Sequence, residues 1–178
     1  MDTLWRTALW QQFGATIDML ENALLACPDM HWNGRLWSDH SDPEYPAFWS
    51  ITYHTLFWLD LYLTSSNEEG FAPPPPFTPY ELDPAGVSPK RPYTRDELHT
   101  YLVNLRQKCQ TTIAGLSDEQ AHQQVDFPWI ERKPVSFLEL LLYNMRHVQE
   151  HAAQLNLFLG QNAVDGVSDW VPQAETGE

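Results

Sequence analysis

A proline-rich segment in the middle of the chain restricts its fold more than any other feature. Eight of the 14 prolines lie between Pro73 and Pro92, and four of them are consecutive. Proline lacks a backbone N–H and its ring clashes with the preceding helical turn, so residues 67–93 cannot form a helix. Aromatic side chains interleave with the prolines at Phe71, Phe77, Tyr80 and Tyr93. The segment is long for a bare connection, so we expect an arm that lies against the fold or a neighbouring subunit. A mobile surface loop is the alternative.

Two segments before this arm have the periodicity of helices. Residues 3–26 carry apolar side chains three or four positions apart, and Pro28 marks the end of the pattern. The second segment begins near Pro46, which the first turn of a helix accepts, and continues to about Ser65. It is apolar nearly all round, which indicates a helix that is buried on more than one side.

Two further helices are predicted after the arm, and each opens with a capping box. Thr94-Arg-Asp-Glu97 starts the third helix, whose apolar stripe runs through to Gly115-Leu-Ser117. Ser136-Phe-Leu-Glu139 starts the fourth helix, with Gly160 as its natural stop. The residues between these helices, 118–135, are expected to be extended or hairpin-like.

The four helices together predict an all-α fold. We expect a four-helix bundle with a long Pro-rich connection between helices 2 and 3. At 178 residues, a single domain is the most economical organisation. We expect that domain over residues 1–160, followed by an acidic C-terminal tail over residues 161–178.

The charge balance argues against several classes of partner. The chain has 24 acidic and 10 basic residues, a formal net charge of −14. Such a surface repels phosphate groups, so we expect neither nucleic acid nor a membrane as a partner. The sequence has no apolar stretch long enough for a membrane span and no signal-peptide pattern. Cys27 and Cys109 are therefore expected to be free thiols in a cytoplasmic protein, with a disulfide as the alternative.

Three histidines give the strongest chemical signal in the sequence. His147 and His151 are one turn apart on the fourth helix and border its apolar face. His54 lies in the apolar stripe of the second helix, so all three imidazoles are expected to point inward. Buried imidazoles need partners, and three of them can hold one metal ion while leaving positions open for water or substrate. The sequence therefore predicts a metal site of the catalytic type.

Neutral imidazole ligands limit the identity of the metal. They suit a divalent transition metal, with Zn or Ni expected first and Fe or Cu as alternatives, rather than Mg or Ca. A water or thiol bound there would ionise near neutral pH. Candidate residues beside the ligands or in a pocket are Tyr53, Trp58, Asn144 and Glu150, although Glu150 is more simply explained as solvated. The sequence assigns no catalytic residue beyond the metal ligands.

Other catalytic motifs are missing from the sequence. It contains no Gly-x-Ser-x-Gly turn, phosphate-binding glycine loop, dinucleotide fingerprint or Cys-x-x-Cys pair. The segment His147-Val-Gln-Glu-His151 has its glutamate before the second histidine rather than directly after the first. That order excludes the general-base geometry of a zinc metalloprotease.

At these residues the chain resembles the DinB-like superfamily, which includes YfiT-type metal-dependent hydrolases and thiol transferases. The resemblance rests on His54 within Trp49–Trp58, and on His147-x-x-x-His151 followed by Gln154-Leu and a helix end. It implies the four-helix bundle of that family, often as a homodimer, with the three histidines as metal ligands. The connection between helices 2 and 3 is longer here than in many relatives.

Two classes of function are compatible with this sequence. The first is an enzyme whose three-histidine metal activates water or a low-molecular-weight thiol for hydrolysis or S-transfer on a small-molecule substrate. The second is a non-catalytic dimeric helical domain with a structural or vestigial metal site and a partner-binding arm. An exchangeable position on the metal would favour the first class.

Overall fold

Helices make up most of the chain in the computed structural model. The structure describes residues 3–38, 46–66, 68–83, 89–130, 134–164 and 170–174. Its helices and strands are, in chain order, α1 (Thr3–Ala26), α2 (Phe48–Tyr62), α3 (Arg95–Gly115), α4 (Asp118–His122), β1 (Gln124–Val125), β2 (Val135–Ser136) and α5 (Phe137–Gln161). The prediction of an all-α fold is confirmed, because the two strands are only two residues long.

The four long helices surround one hydrophobic core. Both α1 and α2 pack against α3 and α5, so the contacts between the long helices close into a ring. Each long helix contributes side chains without solvent exposure, among them Phe13, Ile17, Leu20, Ile51, Leu56, Leu102, Ile113, Leu141, Val148 and Leu155. Burial of this apolar surface is the main stabilising contribution.

Helix ends follow the capping signals in part. Thr94 forms the complete capping box of α3 with Glu97, and the Ser136 hydroxyl accepts a hydrogen bond from the Glu139 N–H at 3.2 Å to cap α5. The prediction that Gly160 ends the last helix is wrong, because α5 continues to Gln161. The left-handed residue beyond the helix end is Ala163, with φ 53°, so a non-glycine residue makes the turn out of the helix.

The segment between α3 and α5 contains a small hairpin, as predicted. Gln124 and Val125 pair antiparallel with Ser136 and Val135. The short helix α4 precedes this pair and was not predicted. Residues 131–133 of the predicted segment lie outside the described residues.

The described part of the proline-rich segment lies against α2. The ring of Tyr53 on α2 is within 4.8–5.5 Å of the rings of Phe77, Tyr80 and Tyr93, measured between centroids. Its hydroxyl donates a hydrogen bond to the carbonyl of Thr78. The backbone N–H of Thr78 in turn donates to the hydroxyl of Tyr93 at 3.1 Å. These contacts fix the path of the arm as far as residue 83 and again from residue 89.

An ion pair with a buried carboxylate joins α2 to α3. Asp60 is 7% exposed, and its carboxylate accepts a hydrogen bond from the hydroxyl of Tyr101 at 2.6 Å. The other carboxylate oxygen pairs with the ammonium group of Lys108. The carboxylate is therefore inside the fold with both of its oxygens occupied, as a buried charge requires.

Part of the predicted tail packs on α1. Ala174 is buried, and its backbone N–H donates to the carbonyl of Gln11 at 2.9 Å. A Cβ at Gly14 would lie 2.5 Å from the Cβ of Ala174, so only glycine permits this close approach. The division into residues 1–160 and a tail stays a prediction.

Cys27 and Cys109 are both buried and free, in agreement with the expectation of unbridged thiols. Burial raises the pKa of each thiol, which keeps both protonated and unreactive. No helix among the described residues is both long enough and apolar enough to cross a membrane.

Candidate metal centre

Three imidazoles converge between α2 and α5. His54 comes from α2, and His147 and His151 come from successive turns of α5. The Nε2 atom of His147 lies 3.2 Å from Nε2 of His54 and 3.1 Å from Nε2 of His151. The three ligand atoms lie within 4.8 Å of one another. The predicted three-histidine cluster is therefore present, and all three rings are partly buried.

Hydrogen bonds on the far side of two rings decide which nitrogen carries the proton. Nδ1 of His54 lies 2.9 Å from a carboxylate oxygen of Glu81, and a carboxylate can only accept, so His54 is protonated at Nδ1. Nδ1 of His151 lies 2.8 Å from the amide oxygen of Gln154, which likewise only accepts. Both histidines therefore direct the lone pair of Nε2 towards the centre of the cluster.

His147 cannot satisfy both of these lone pairs. Its Nε2 carries at most one hydrogen, so at least one of the two short contacts brings acceptors together without a proton between them. A cation at the centre removes this conflict. Two imidazole nitrogens bound at about 2.0–2.1 Å to one zinc ion with tetrahedral angles are about 3.3 Å apart. The two spacings around His147 are close to this value, so the residues present fit a metal ion.

The surroundings keep His147 and His151 in the form that binds metal. Burial, reinforced by the charges of His54 and His151, lowers the pKa of His147 from 6.5 to about 2. Burial also lowers the pKa of His151, with a second contribution from His54, against the opposing effect of the hydrogen bond with Gln154. Both imidazoles are therefore neutral at pH near 7, and neutral imidazole is the metal ligand.

The comparison with protein families gives a match over most of the chain. The profile of the DinB superfamily covers residues 6–155. The chain belongs to the DinB superfamily. The matched range contains all three histidines of this DinB protein and also Gln154 and Glu81. A comparison with curated proteins gives no match.

The residues predicted to surround the ligands of this DinB protein have different positions. Trp58 is the nearest, with its indole N–H 3.2 Å from Nδ1 of His54 and 3.3 Å from Oε2 of Glu81. Since His54 donates from Nδ1, the indole N–H of Trp58 donates to Glu81. Asn144 is fully buried, and its amide donates to the carbonyl of Leu59 at 3.2 Å, which ties α5 to α2 one turn before His147.

The other two candidates are Tyr53 and Glu150. The hydroxyl of Tyr53 is hydrogen-bonded to the arm at Thr78. Glu150 is exposed and lines a cleft between α1 and α5, and its charge acts on His151 by raising the pKa of that imidazole. Glu150 thus influences the site electrostatically from the solvent-exposed side of α5.

Glu81 is the residue of the site that sequence reasoning missed. It lies in a single 3-10 turn, Tyr80–Leu82, inside the proline-rich arm. No helical or strand periodicity runs through that arm, so nothing in the pattern relates position 81 to His54, 27 residues earlier. The only available signal was general: a histidine that binds metal commonly donates its other N–H to a carboxylate.

Proposed function

We propose that this protein is a metal-dependent enzyme that activates water or a low-molecular-weight thiol as a nucleophile. His54, His147 and His151 would hold a divalent transition metal, with Zn or Ni favoured and Fe as an alternative. The observation that carries this proposal is the convergence of three Nε2 atoms, two of which have their lone pairs fixed by Glu81 and Gln154. Membership of the DinB superfamily supports it.

The donor set defines the chemistry that the site can perform. Three protein ligands leave coordination positions open, and a divalent transition metal there would lower the pKa of a coordinated water or thiol towards neutrality. His54 and His151 are held in one orientation by their outer hydrogen bonds, so the ligands need little rearrangement. The reaction class is therefore hydrolysis or S-transfer to a small electrophilic substrate.

The partly buried ring of Trp58, next to His54, and the exposed ring of Trp129 behind it supply the environment of the reaction. The ring of Trp58 lies 6.2 Å from that of His54 and 5.0 Å from that of Trp129, measured between centroids. An apolar wall of this kind restricts water and strengthens electrostatic interactions with the ligands. It suits a small molecule with apolar surface as the substrate.

The proposal extends to the assembly of the protein. We propose that the ring of four long helices is the four-helix bundle of the DinB superfamily, and that the protein is a cytoplasmic homodimer. The packing of α1 and α2 against both α3 and α5 supports the bundle. Analytical ultracentrifugation of the full chain tests the dimer.

Metal content tests the proposed function first. We expect elemental mass spectrometry of untagged protein, incubated with Zn and then dialysed, to give about one metal ion per chain. The His54→Ala and His151→Ala variants are expected to lose it. The matched control is His122→Ala, since His122 is exposed on α4 and bonds to the carbonyl of Asp118.

The outcomes separate the two classes of function. One metal per chain that is lost with either ligand, together with binding of an added thiolate to the metal, supports the enzyme and justifies hydrolysis and thiol-transfer assays. Metal that accepts no added ligand indicates the structural or vestigial site instead. Wild-type protein without metal after incubation with Zn or Ni would refute the proposal.

A further inference from the structure

The proline-rich arm places a buried carboxylate behind one of the metal-binding histidines. The side chain of Glu81 is 7% exposed, although it belongs to a short turn in a segment without regular structure. Its Oε2 atom is 2.9 Å from Nδ1 of His54 and also accepts the indole N–H of Trp58 at 3.3 Å. Its Oε1 atom is also buried, and the carboxylate interacts with the hydroxyl of the adjacent Tyr80 as well.

This arrangement costs folding free energy unless a positive charge lies on the opposite side of the His54 ring. Burial of a carboxylate without a compensating positive charge is unfavourable. A cation bound at Nε2 of His54 makes the N–H at Nδ1 a stronger donor, and the hydrogen bond to Glu81 then becomes charge-assisted. The carboxylate and the cation therefore stabilise each other through the imidazole ring.

The arm is anchored to α2 by the residues just before Glu81, which limits where the carboxylate can lie. Before it, the carbonyl of Thr78 accepts a hydrogen bond from Tyr53 on α2. Next to it, the hydroxyl of Tyr80 lies 3.4 Å from the hydroxyl of Ser50, also on α2. The ring of Tyr80 stacks on that of Tyr53 at 5.2 Å. These contacts come from α2, the helix that carries His54, so the arm and His54 keep a fixed relative position.

We infer that Glu81 is the positioning residue of the metal centre: it holds His54 as the Nδ1–H tautomer and raises the affinity of the three histidines for the metal. The proline-rich arm is therefore part of the site rather than only a connection. This inference rests on the proposed function for its effect on metal, whereas its effect on the tautomer of His54 does not.

Zinc affinity of the full chain tests the inference. We expect Glu81→Ala to bind Zn about 100-fold more weakly than wild type and Glu81→Gln about tenfold more weakly, in a competition titration with a chromophoric chelator. Glutamine keeps an oxygen that accepts the N–H but loses the charge, so it separates the two contributions. Glu119→Gln is the matched control, because Glu119 is an exposed glutamate on α4 and its replacement changes the net charge equally.

A second measurement uses the metal-free protein. Long-range proton–nitrogen NMR spectra of the imidazole rings report the tautomer of each histidine. We expect His54 to carry its proton on Nδ1 in wild type and in Glu81→Gln, and to shift towards the Nε2–H form in Glu81→Ala. Circular dichroism at 222 nm checks that each variant keeps its helices. Glu81→Gln is isosteric with the wild-type side chain, so it still tests the inference if Glu81→Ala does not fold.

Each outcome decides the inference. Weaker zinc binding of both variants together with the tautomer shift in Glu81→Ala supports it. Glu81 variants that bind zinc as tightly as wild type, or a wild-type His54 protonated at Nε2, would overturn it. If wild type binds no metal at all, the proposed function fails, and the NMR result still decides whether Glu81 sets the tautomer of His54.

Discussion

Replacement of His147 by alanine separates a metal ligand from a structural histidine. His147 lies between the two other imidazoles, and its Nδ1 is buried without a hydrogen-bond partner in the part of the chain that the structure describes. Loss of the packed ring costs about 2 kcal/mol of unfolding free energy. Removal of the unsatisfied polar atoms returns about 1–3 kcal/mol. The two contributions nearly cancel, so the metal-free variant is expected to be about as stable as metal-free wild type.

Bound metal is expected to stabilise wild type but not the His147→Ala variant. A ligand present at 100 times its Kd raises the free energy of unfolding by about 2.7 kcal/mol. For a chain of this size, each kcal/mol shifts the melting temperature by about 2–4 °C. We therefore expect zinc to raise Tm of the wild type by about 5–11 °C, and to leave Tm of the variant unchanged.

Thermal unfolding followed by circular dichroism, with zinc or with a chelator, measures both effects. His122→Ala serves as the control because it removes an exposed histidine outside the cluster. Two results would contradict the reasoning. A chelator-treated His147→Ala protein that melts far below chelator-treated wild type would show that the ring is structural. A variant that retains the full zinc-induced rise would show that His147 is not a ligand.

Two further predictions concern interactions away from the histidines. Asp60→Ala leaves the buried hydroxyl of Tyr101 without its acceptor and leaves the ammonium group of Lys108 with only the backbone carbonyl of residue 60. We expect a loss of about 2–3 kcal/mol in the free energy of unfolding by urea. An unchanged free energy of unfolding would show that the ion pair is dispensable. Hydrogen bonds from Arg91 lower the pKa of Glu97 from 4.5 to about 2. The folded pKa lies below the unfolded one, so this stabilisation is present above pH 4.5 and is lost as the pH falls towards 2. After screening by solvent it is about 1 kcal/mol. We therefore expect wild type to be more stable than Glu97→Gln at neutral pH but not near pH 2. A difference in stability that stays constant between these pH values would contradict the effect of Arg91 on Glu97.

The sequence predicted the parts of the site that lie on regular helices. His54, His147 and His151 could be related to one another because helical periodicity fixes which residues share a face and the apolar stripes fix which face is inward. The first helix, Thr3–Ala26, has the predicted bounds because its pattern is uninterrupted until Pro28.

The missed features depend on contacts between distant parts of the chain. Glu81 reaches His54 because Tyr53 and its aromatic neighbours fix the path of the arm, and no local pattern encodes that path. The second helix was predicted to extend to about Ser65 but ends at Tyr62. Ser65 itself has a left-handed backbone, with φ 57°. Gly160 was a plausible stop by residue type, yet the helix continues through it.

The distribution of the ligands over two helices has a topological consequence. His54 and His147 are 93 residues apart in sequence, and nothing covalent joins α2 to α5 except the chain between them. A cation shared by these helices would act as a reversible cross-link across this large loop, and because unfolding would release it, its binding would stabilise the folded state. Global unfolding would then require the cation to dissociate. Loss of the cation alone would first loosen the packing of α2 against α5. The packing of α1 against α3 does not depend on the cation, because neither helix carries a ligand.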